Sequence, residues 1–531
     1  MYRGKAIRKR SVKQLPWEEV AVIKKRSIFE SAGSLFLFCS VVVTGVALCM
    51  GVSFAAPPLT VEKGLSSHQV FQARDGGGAL IEVSGPAPER GTIQAHITEE
   101  TGHEILPWAN VGTSDGKAWK ATVVSVPVGG PYTVELRLVD ARENEIASAV
   151  FEQVFVGDLW VLAGQSNMQG VGNREDCETP HSKVQMLGLD DVWRTAEEPL
   201  HYLAEAVDPA LQVPKDAQER ERARADKPNW KKGAGLGLTF AKEMVERTGR
   251  PVGLIPCALG GSSIVQWDPK DRDKGGESLY GAMVRRIRLA GGKVRGVLWY
   301  QGESDAHPER LRTYRDAFRT LVTALRSDVG DPNLPVFFVQ ISRFVTDNAD
   351  PVLWSGMRME QLHAEVDLPN VDMVAAIDLP LDDLIHIGTP GLKVLGYRLA
   401  NVAQRHLYGG NVTHGPRFET AVVEKGPYGQ YIRVVFRDVN GALKASGRLH
   451  GFSVSSGAEG ADVPVVYRQD VDPANPTHVR VWITKLPEDP HLWYGRGLDP
   501  YCNLVDEANM AAPAFGPVPV SVPPAEPVAG K

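Results

Sequence analysis

From Val154 onward, apolar runs alternate with amphipathic segments, and this alternation limits the possible folds more than any other feature of the chain. Five runs stand out: "FVGDLWVLA", "PVGLIPCAL", "VRGVLWYQ", "LPVFFVQIS" and "VDMVAAIDL". Between or after them lie helix-like segments, "LGLTFAKEMVER", "ESLYGAMVRRIRLA", "RLRTYRDAFRTLVTALRS" and "LKVLGYRLANVAQRHL". Strands alternating with helices build a parallel sheet with helices on both faces. Ligands bind such sheets outside the carboxyl ends of the strands. Ser166 follows the first run, "GGSS" (Gly260–Ser263) the second, "QGESD" (Gln301–Asp305) the third and "DDLIH" (Asp382–His386) the fifth. Topology alone therefore gathers these four clusters at one edge.

The flanks have a different texture. Before this region, "ALIEVSG", "GTIQAHITE", "AWKATVVSVPV" and "PYTVELRLVD" run apolar or alternate, with Gly, Pro, Asp and Asn between them. That is a β-sandwich pattern. After His414 strand texture returns in "YIRVVFRDV", "LHGFSVSS", "DVPVVYRQ" and "HVRVWITK", and the Pro-rich end reads as extended or disordered. Residues 203–232 are charged and irregular and read as a surface insertion. A chain of 531 residues exceeds one ordinary core. The expected division is 1–56 export signal or membrane anchor, 57–152 and 414–516 β domains, 153–413 an α/β domain, and 517–531 a tail.

Residues 1–33 carry nine Lys/Arg against three Glu, and residues 34–56 carry no charge. A basic segment, an apolar stretch and a small-residue site at "SFA" form the pattern of an export signal, and the stretch is also long enough to serve as an uncleaved anchor. The expectation is an extracytoplasmic protein, secreted or periplasmic, that meets a membrane only through that segment. Without it the chain is more acidic than its overall net charge of −6. An acidic ectodomain argues against a nucleic-acid partner. Cys177, Cys257 and Cys502 lie outside the signal and allow at most one disulfide. "GAGLGL" (233–238) misses the dinucleotide spacing and reads as a turn into a helix. Neither H-E-x-x-H nor paired C-x-x-C occurs, so neither metal nor cofactor is expected. "NVT" at 411–413 is a glycosylation sequon where the host glycosylates.

The gathered residues fit ester hydrolysis. Such a reaction needs a hydroxyl nucleophile, a base and a group that orients the base. It also needs hydrogen-bond donors where negative charge develops. Ser166 can be the nucleophile and His386 the base. Asp383, three residues before His386, can share one face of a helical turn with it, but so can Asp382 at four. Gly261 offers an unobstructed backbone N–H and Gln301 a side-chain amide. Glu303 and Asp305 read as loop-orienting groups more than as reacting ones.

"GQSNM" at 164–168, the glycines at 260–261 with Trp267, "WYQGESD" at 299–305 and the D-x-x-H at Asp383–His386 resemble the SGNH hydrolases, in particular the sialate O-acetylesterase and carbohydrate acetyl esterase branch. "FVGDLWVLAGQSNM" and "LWYGRGLDPYCNLVDEANMAAPAFGP" resemble that branch's entry and closing segments. The resemblance implies a three-layer α/β/α SGNH (flavodoxin-like) parallel sheet flanked by N- and C-terminal β-sandwich-like domains. It implies Ser166, Asp383 and His386 as the catalytic set, with Ser166, Gly261, Gln301, Gln165 and Glu303 as oxyanion or substrate contacts. Gln301 falls where the wider superfamily has asparagine, and Gly-Gly-Ser stands where many relatives have Gly-Gly-Thr. The expected activity is removal of O-acetyl groups from carbohydrate, sialic acid or polysaccharide. The alternative is an inactive carbohydrate-binding or surface protein on an esterase frame, and colour release from p-nitrophenyl acetate separates the two. No residue names the sugar.

Overall fold

A computed structural model describes residues 57–523. The expected export segment at 1–56 lies outside the described residues, as does the end of the tail from 524. No helix among the described residues is long and apolar enough to cross a membrane.

The α/β region is built on six parallel strands: β1 (Glu145–Gly164), β2 (Val184–Leu187), β3 (Val252–Pro256), β4 (Gly296–Tyr300), β5 (Val336–Gln340) and β6 (Val371–Ala375). They lie in the order β2–β3–β1–β4–β5–β6. Strands β3 to β6 are buried along their whole length, as parallel strands covered on both faces must be. The five apolar runs supply β1 and β3 to β6. The sequence hid β2, because "VQML" is short and sits in a polar, turn-rich stretch.

Among the described residues seven α-helices accompany the strands: α1 (Ser166–Gln169), α2 (Ala217–Asp226), α3 (Gly237–Thr248), α4 (Leu279–Leu289), α5 (Pro308–Val329), α6 (Pro351–Asp367) and α7 (Thr389–Tyr408). Helix α3 packs on α7, while α4, α5 and α6 pack in series. Helix α5 shows why these segments are helical. Pro308 opens it, Gly330 closes it in the left-handed region, and Tyr314, Phe318, Leu321, Val322 and Leu325 form its buried stripe. Helix α6 escaped the sequence reading because Arg358 and Gln361 occupy buried positions of its inner face. The supposedly irregular insertion contains α2, capped by the Asp216 carboxylate, which accepts from the N–H groups of Gln218 and Glu219. None of its residues is buried, so periodicity carried no signal.

The outer β regions differ from simple sandwiches. Most N-terminal strands form an antiparallel sheet, in which Gly129–Val139 pairs with the first half of β1, while Val70–Gln72 pairs with β1 in parallel. The second half of β1 is the centre of the parallel sheet. The boundary expected at 152/153 therefore falls inside one continuous strand. Ile81, Ile93, Val123, Leu136 and Val154 share a core, so strands far apart in the sheet's order meet over it. In the C-terminal region, a four-stranded sheet (Arg417–Gly426, Gly429–Arg437, His478–Ile483, Val466–Val471) shares its core with a second (Asp462–Val463, Phe452–Ser456, Pro490–Tyr494, Phe515–Pro519). The start of the expected tail is thus a strand, extended by the pairing of Ser521 with Val422. Among the described residues Cys177, Cys257 and Cys502 are all free thiols, so no disulfide joins any two of them.

Candidate active site

Strand β1 delivers Ser166. Its last residue, Gly164, has φ of +136°, and a Cβ there would stand 2.1 Å from the Tyr300 carbonyl oxygen. Only glycine permits this approach to β4, and it turns the chain abruptly so that Ser166 opens α1. His386 Nε2 lies 2.9 Å from Ser166 Oγ, and His386 Nδ1 lies 2.8 Å from Asp383 Oδ2. Asp383 Oδ1 accepts from the N–H groups of Ile385 (2.9 Å) and His386 (2.8 Å). Burial pushes the Asp383 carboxyl up, but these two N–H groups and the imidazole outweigh it and hold it below its usual value.

The D-x-x-H spacing works through a loop rather than the helical turn expected from it. Leu381 bridges Ile387, and the Asp382 N–H donates to the His386 carbonyl at 2.8 Å. That closure brings Asp383 under the imidazole. Asp382 is turned away, accepting from Asn173 Nδ2 at 3.1 Å with Lys232 Nζ at 3.6 Å.

The oxyanion candidates separate into two kinds. Gly260 stands against the nucleophile, since a Cβ on it would lie 3.5 Å from Ser166 Cβ. The Gly260 N–H is spent on Gln169 Oε1 (2.8 Å), whereas the N–H groups of Ser166 and Gly261 donate to no acceptor among the described residues. Gln301 is fully buried and its amide nitrogen is committed to the Asp305 carboxylate, Gln165 Oε1 (3.2 Å) and the Ser262 carbonyl (3.2 Å). An amide with two hydrogens facing three acceptors has none left for an oxyanion, so Gln301 is a bracket and not the expected donor. Gln165 Oε1 also accepts from the N–H groups of Gly302 and Ser304, both at 3.3 Å, tying the strand ends together.

Glu303 likewise faces inward. Its Oε1 accepts from Asn167 Nδ2 at 2.7 Å, and Asn167 Oδ1 accepts from the Ile387 N–H at 3.1 Å. Glu303 Oε2 is buried without a partner among the described residues, and burial pushes the carboxyl up against the opposing effect of Asn167. Glu303 fixes Asn167, which fixes the loop bearing His386: this is the loop-orienting role read from the residues and not the substrate contact that the resemblance implied.

Similarity to known proteins agrees with this arrangement. Residues 156–405 match the family described as carbohydrate esterase, sialic acid-specific acetylesterase. A probable carbohydrate esterase of Arabidopsis thaliana is 32% identical over 270 residues, which are 46% of this chain and 88% of that protein. The chain belongs to the sialic acid-specific acetylesterase family of carbohydrate esterases. Human sialate O-acetylesterase is 24% identical over 361 residues, and the chain spans 64% of its length. A crystal structure of a carbohydrate acetylesterase from Xanthomonas citri shares the fold, with a TM-score of 0.62 at 21% identity, covering 86% of this chain and 98% of that one.

As a member of the acetylesterase family the chain is a carboxylic ester hydrolase. Its helpers were only partly visible beforehand. Gln169, which fixes Gly260, lies within "GQSNMQG", and its closeness to the motif was the only cue. Asn173, which holds Asp382, gave none. Among the described residues one grouping has metal-ligand spacing, Glu365, Asp372 and His414. Its oxygens are already engaged: Arg417 contacts Glu365 at 2.7 and 2.9 Å, and His414 Nδ1 contacts Asp372 at 3.0 Å. This knot joins α6 and β6 to the C-terminal sheet.

Proposed function

We propose that the chain is an exported serine esterase that removes O-acetyl groups from sialic acid or polysaccharide through an acetyl-enzyme, using Ser166, His386 and Asp383. The observation that carries this reading is the unbroken relay from Ser166 Oγ through both imidazole nitrogens to Asp383. In the first half, Ser166 Oγ attacks the acetyl carbonyl as His386 Nε2 takes its proton. The oxyanion faces the unspent N–H groups of Ser166 and Gly261. His386 returns the proton to the sugar oxygen as the carbonyl–oxygen bond breaks. In the second half, His386 deprotonates a water that attacks the acetyl carbon, then returns that proton to Ser166 Oγ as the ester bond breaks and acetate leaves. Asp383 holds the Nδ1–H tautomer and stabilises the imidazolium.

The charge-free segment at 34–56 supports export. The two separate helix groupings, α3 with α7 and α4 with α5 and α6, support an SGNH-type three-layer reading of the catalytic region. The division into a catalytic region and two β domains is part of the same proposal.

Acetate release tests the mechanism. Ser166→Ala should lower kcat by about 10⁴-fold or more. Asp383→Asn should lower it by at least about 10²-fold, and Asp382→Asn by less than about tenfold. A Ser166→Ala protein within tenfold of the parent would overturn the reading.

A further inference from the structure

The clusters gathered at the sheet edge follow β1, β3, β4 and β6, whereas β5 runs into residues 341–345, which carry no motif of the site. That stretch still touches the catalytic loop. The Val345 N–H donates to the Leu384 carbonyl at 2.8 Å. The Leu384 carbonyl belongs to the same peptide unit as the Ile385 N–H, which donates to Asp383 Oδ1 at 2.9 Å. A peptide unit is planar and rigid. Fixing its oxygen therefore fixes its N–H, and with it one of the two N–H groups that hold the Asp383 carboxylate for His386. The loop is thus held by two elements: Asn167 of α1 takes the Ile387 N–H, and the stretch after β5 takes the Leu384 carbonyl.

Val345 is itself placed by the C-terminal β region. The Phe344 N–H donates to the Leu498 carbonyl at 2.9 Å, and Arg343 Nη1 lies 2.6 Å from Asp499 Oδ1. Arg343 Nη2 lies 3.5 Å from the Leu379 carbonyl, where the chain leaves β6 for the catalytic loop. Arg358 of α6, fully buried, fastens the junction. It donates to the Ser342 carbonyl at 2.8 Å and to the Gly495 and Gly497 carbonyls at 3.0 and 2.6 Å. Buried donors and acceptors are costly to leave unmet, so residues 341–345 and 495–499 are held together as one piece. The Arg343 and Asp499 side chains are 21% and 41% exposed. An ion pair that open to water adds little to global stability. Its consequence comes from its place, two residues from the N–H that holds the catalytic loop.

We propose that Arg343, anchored by Asp499, is a positioning residue: through Val345 it sets the peptide between Leu384 and Ile385, and thereby the Asp383 carboxylate that orients His386. The C-terminal β region is then a working part of the esterase and not an appendage to it. The proposal rests on the esterase reading above.

Two measurements on the full chain decide it. One is hydrolysis of p-nitrophenyl acetate. The other is the rate at which a fluorophosphonate, which reacts with an activated serine whatever its natural ester, labels Ser166. Arg343→Ala should lower kcat and the labelling rate by about tenfold, with KM within about twofold, because a small displacement of a catalytic group is costly. Asp499→Ala should lower both in the same way. Arg343→Lys, which keeps the ion pair, should recover most of the loss. A general loss of folded protein is separated by the Asp383→Asn background. There Arg343→Ala should cost less than about twofold more, because residues that act through one contact are not additive. Equal losses in both backgrounds, a change confined to KM, or labelling as fast as the parent's would overturn the proposal and leave the esterase reading standing. A parent chain that labels but hydrolyses no acetyl ester would overturn the esterase reading, and the labelling rates would still decide the role of Arg343. A parent chain that does not label at Ser166 would overturn both.

Discussion

At the residue scale, burial sets two neighbouring groups against each other. Burial pushes Glu198 up to about 7 and His201 down to about 4. Each folded-state shift is a stability term. Glu198, raised above its ordinary 4.5, contributes stability that is present below pH 4.5 and lost as pH rises towards 7. His201, depressed below 6.5, contributes stability that is present above pH 6.5 and lost as pH falls towards 4. The two slopes oppose each other between about pH 4.5 and 6.5. Glu198→Gln keeps an acceptor for one of the two N–H groups and removes one slope. The variant should therefore lose stability on acidification more steeply than the parent, by on the order of 3 kcal/mol between pH 7 and pH 4. Denaturant unfolding at several pH values measures this, and parallel curves for parent and variant would contradict it. Ser166 and His386 were legible as residues because each sits in a distinctive motif, whereas Asp383 shares the motif of His386 with Asp382, and spacing alone does not choose between the two. Gln301 was misread because sequence shows that an amide is present but not which acceptors occupy it.

At the element scale, the base is only as well placed as the loop that carries it. Asn167 reaches from α1 to the Ile387 N–H, and Glu303 from the turn after β4 holds Asn167. A buried carboxylate whose work is to orient a second side chain acts through position. Glu303→Ala should lower kcat by roughly 10- to 100-fold with little change in KM, because a small displacement of a catalytic group is costly. Glu303→Gln, which still offers Asn167 an acceptor, should stay within a few-fold of the parent. Kinetics of both variants on one acetyl ester decide the point, and equal losses would mean that charge rather than orientation matters. The helices with a plain apolar stripe were legible at this scale. Helix α6 was not, because its buried face carries Arg358 and Gln361 bonded to backbone groups and looks polar in sequence.

At the scale of the whole molecule, β1 belongs to two structures at once. Its first half pairs antiparallel with Gly129–Val139, and its second half is flanked by β3 and β4. A chain cut to residues 153–523 would keep the relay but leave the buried Val154 and Val156 without the N-terminal core they help to form. It should be less soluble than residues 57–523 and unfold at lower denaturant, which solubility and unfolding measurements would check; equal stability would show that the N-terminal sheet is dispensable. The sequence by itself determined the α/β class, the order of the motifs and the chemistry available at the strand ends, because period, punctuation and side-chain type are local properties. Only the tertiary structure decided that Asp383 rather than Asp382 meets His386, that Gln301 is spent on Asp305, and that one strand serves two sheets. Those outcomes depend on which groups meet across long stretches of chain, and spacing along the chain does not encode direction in space.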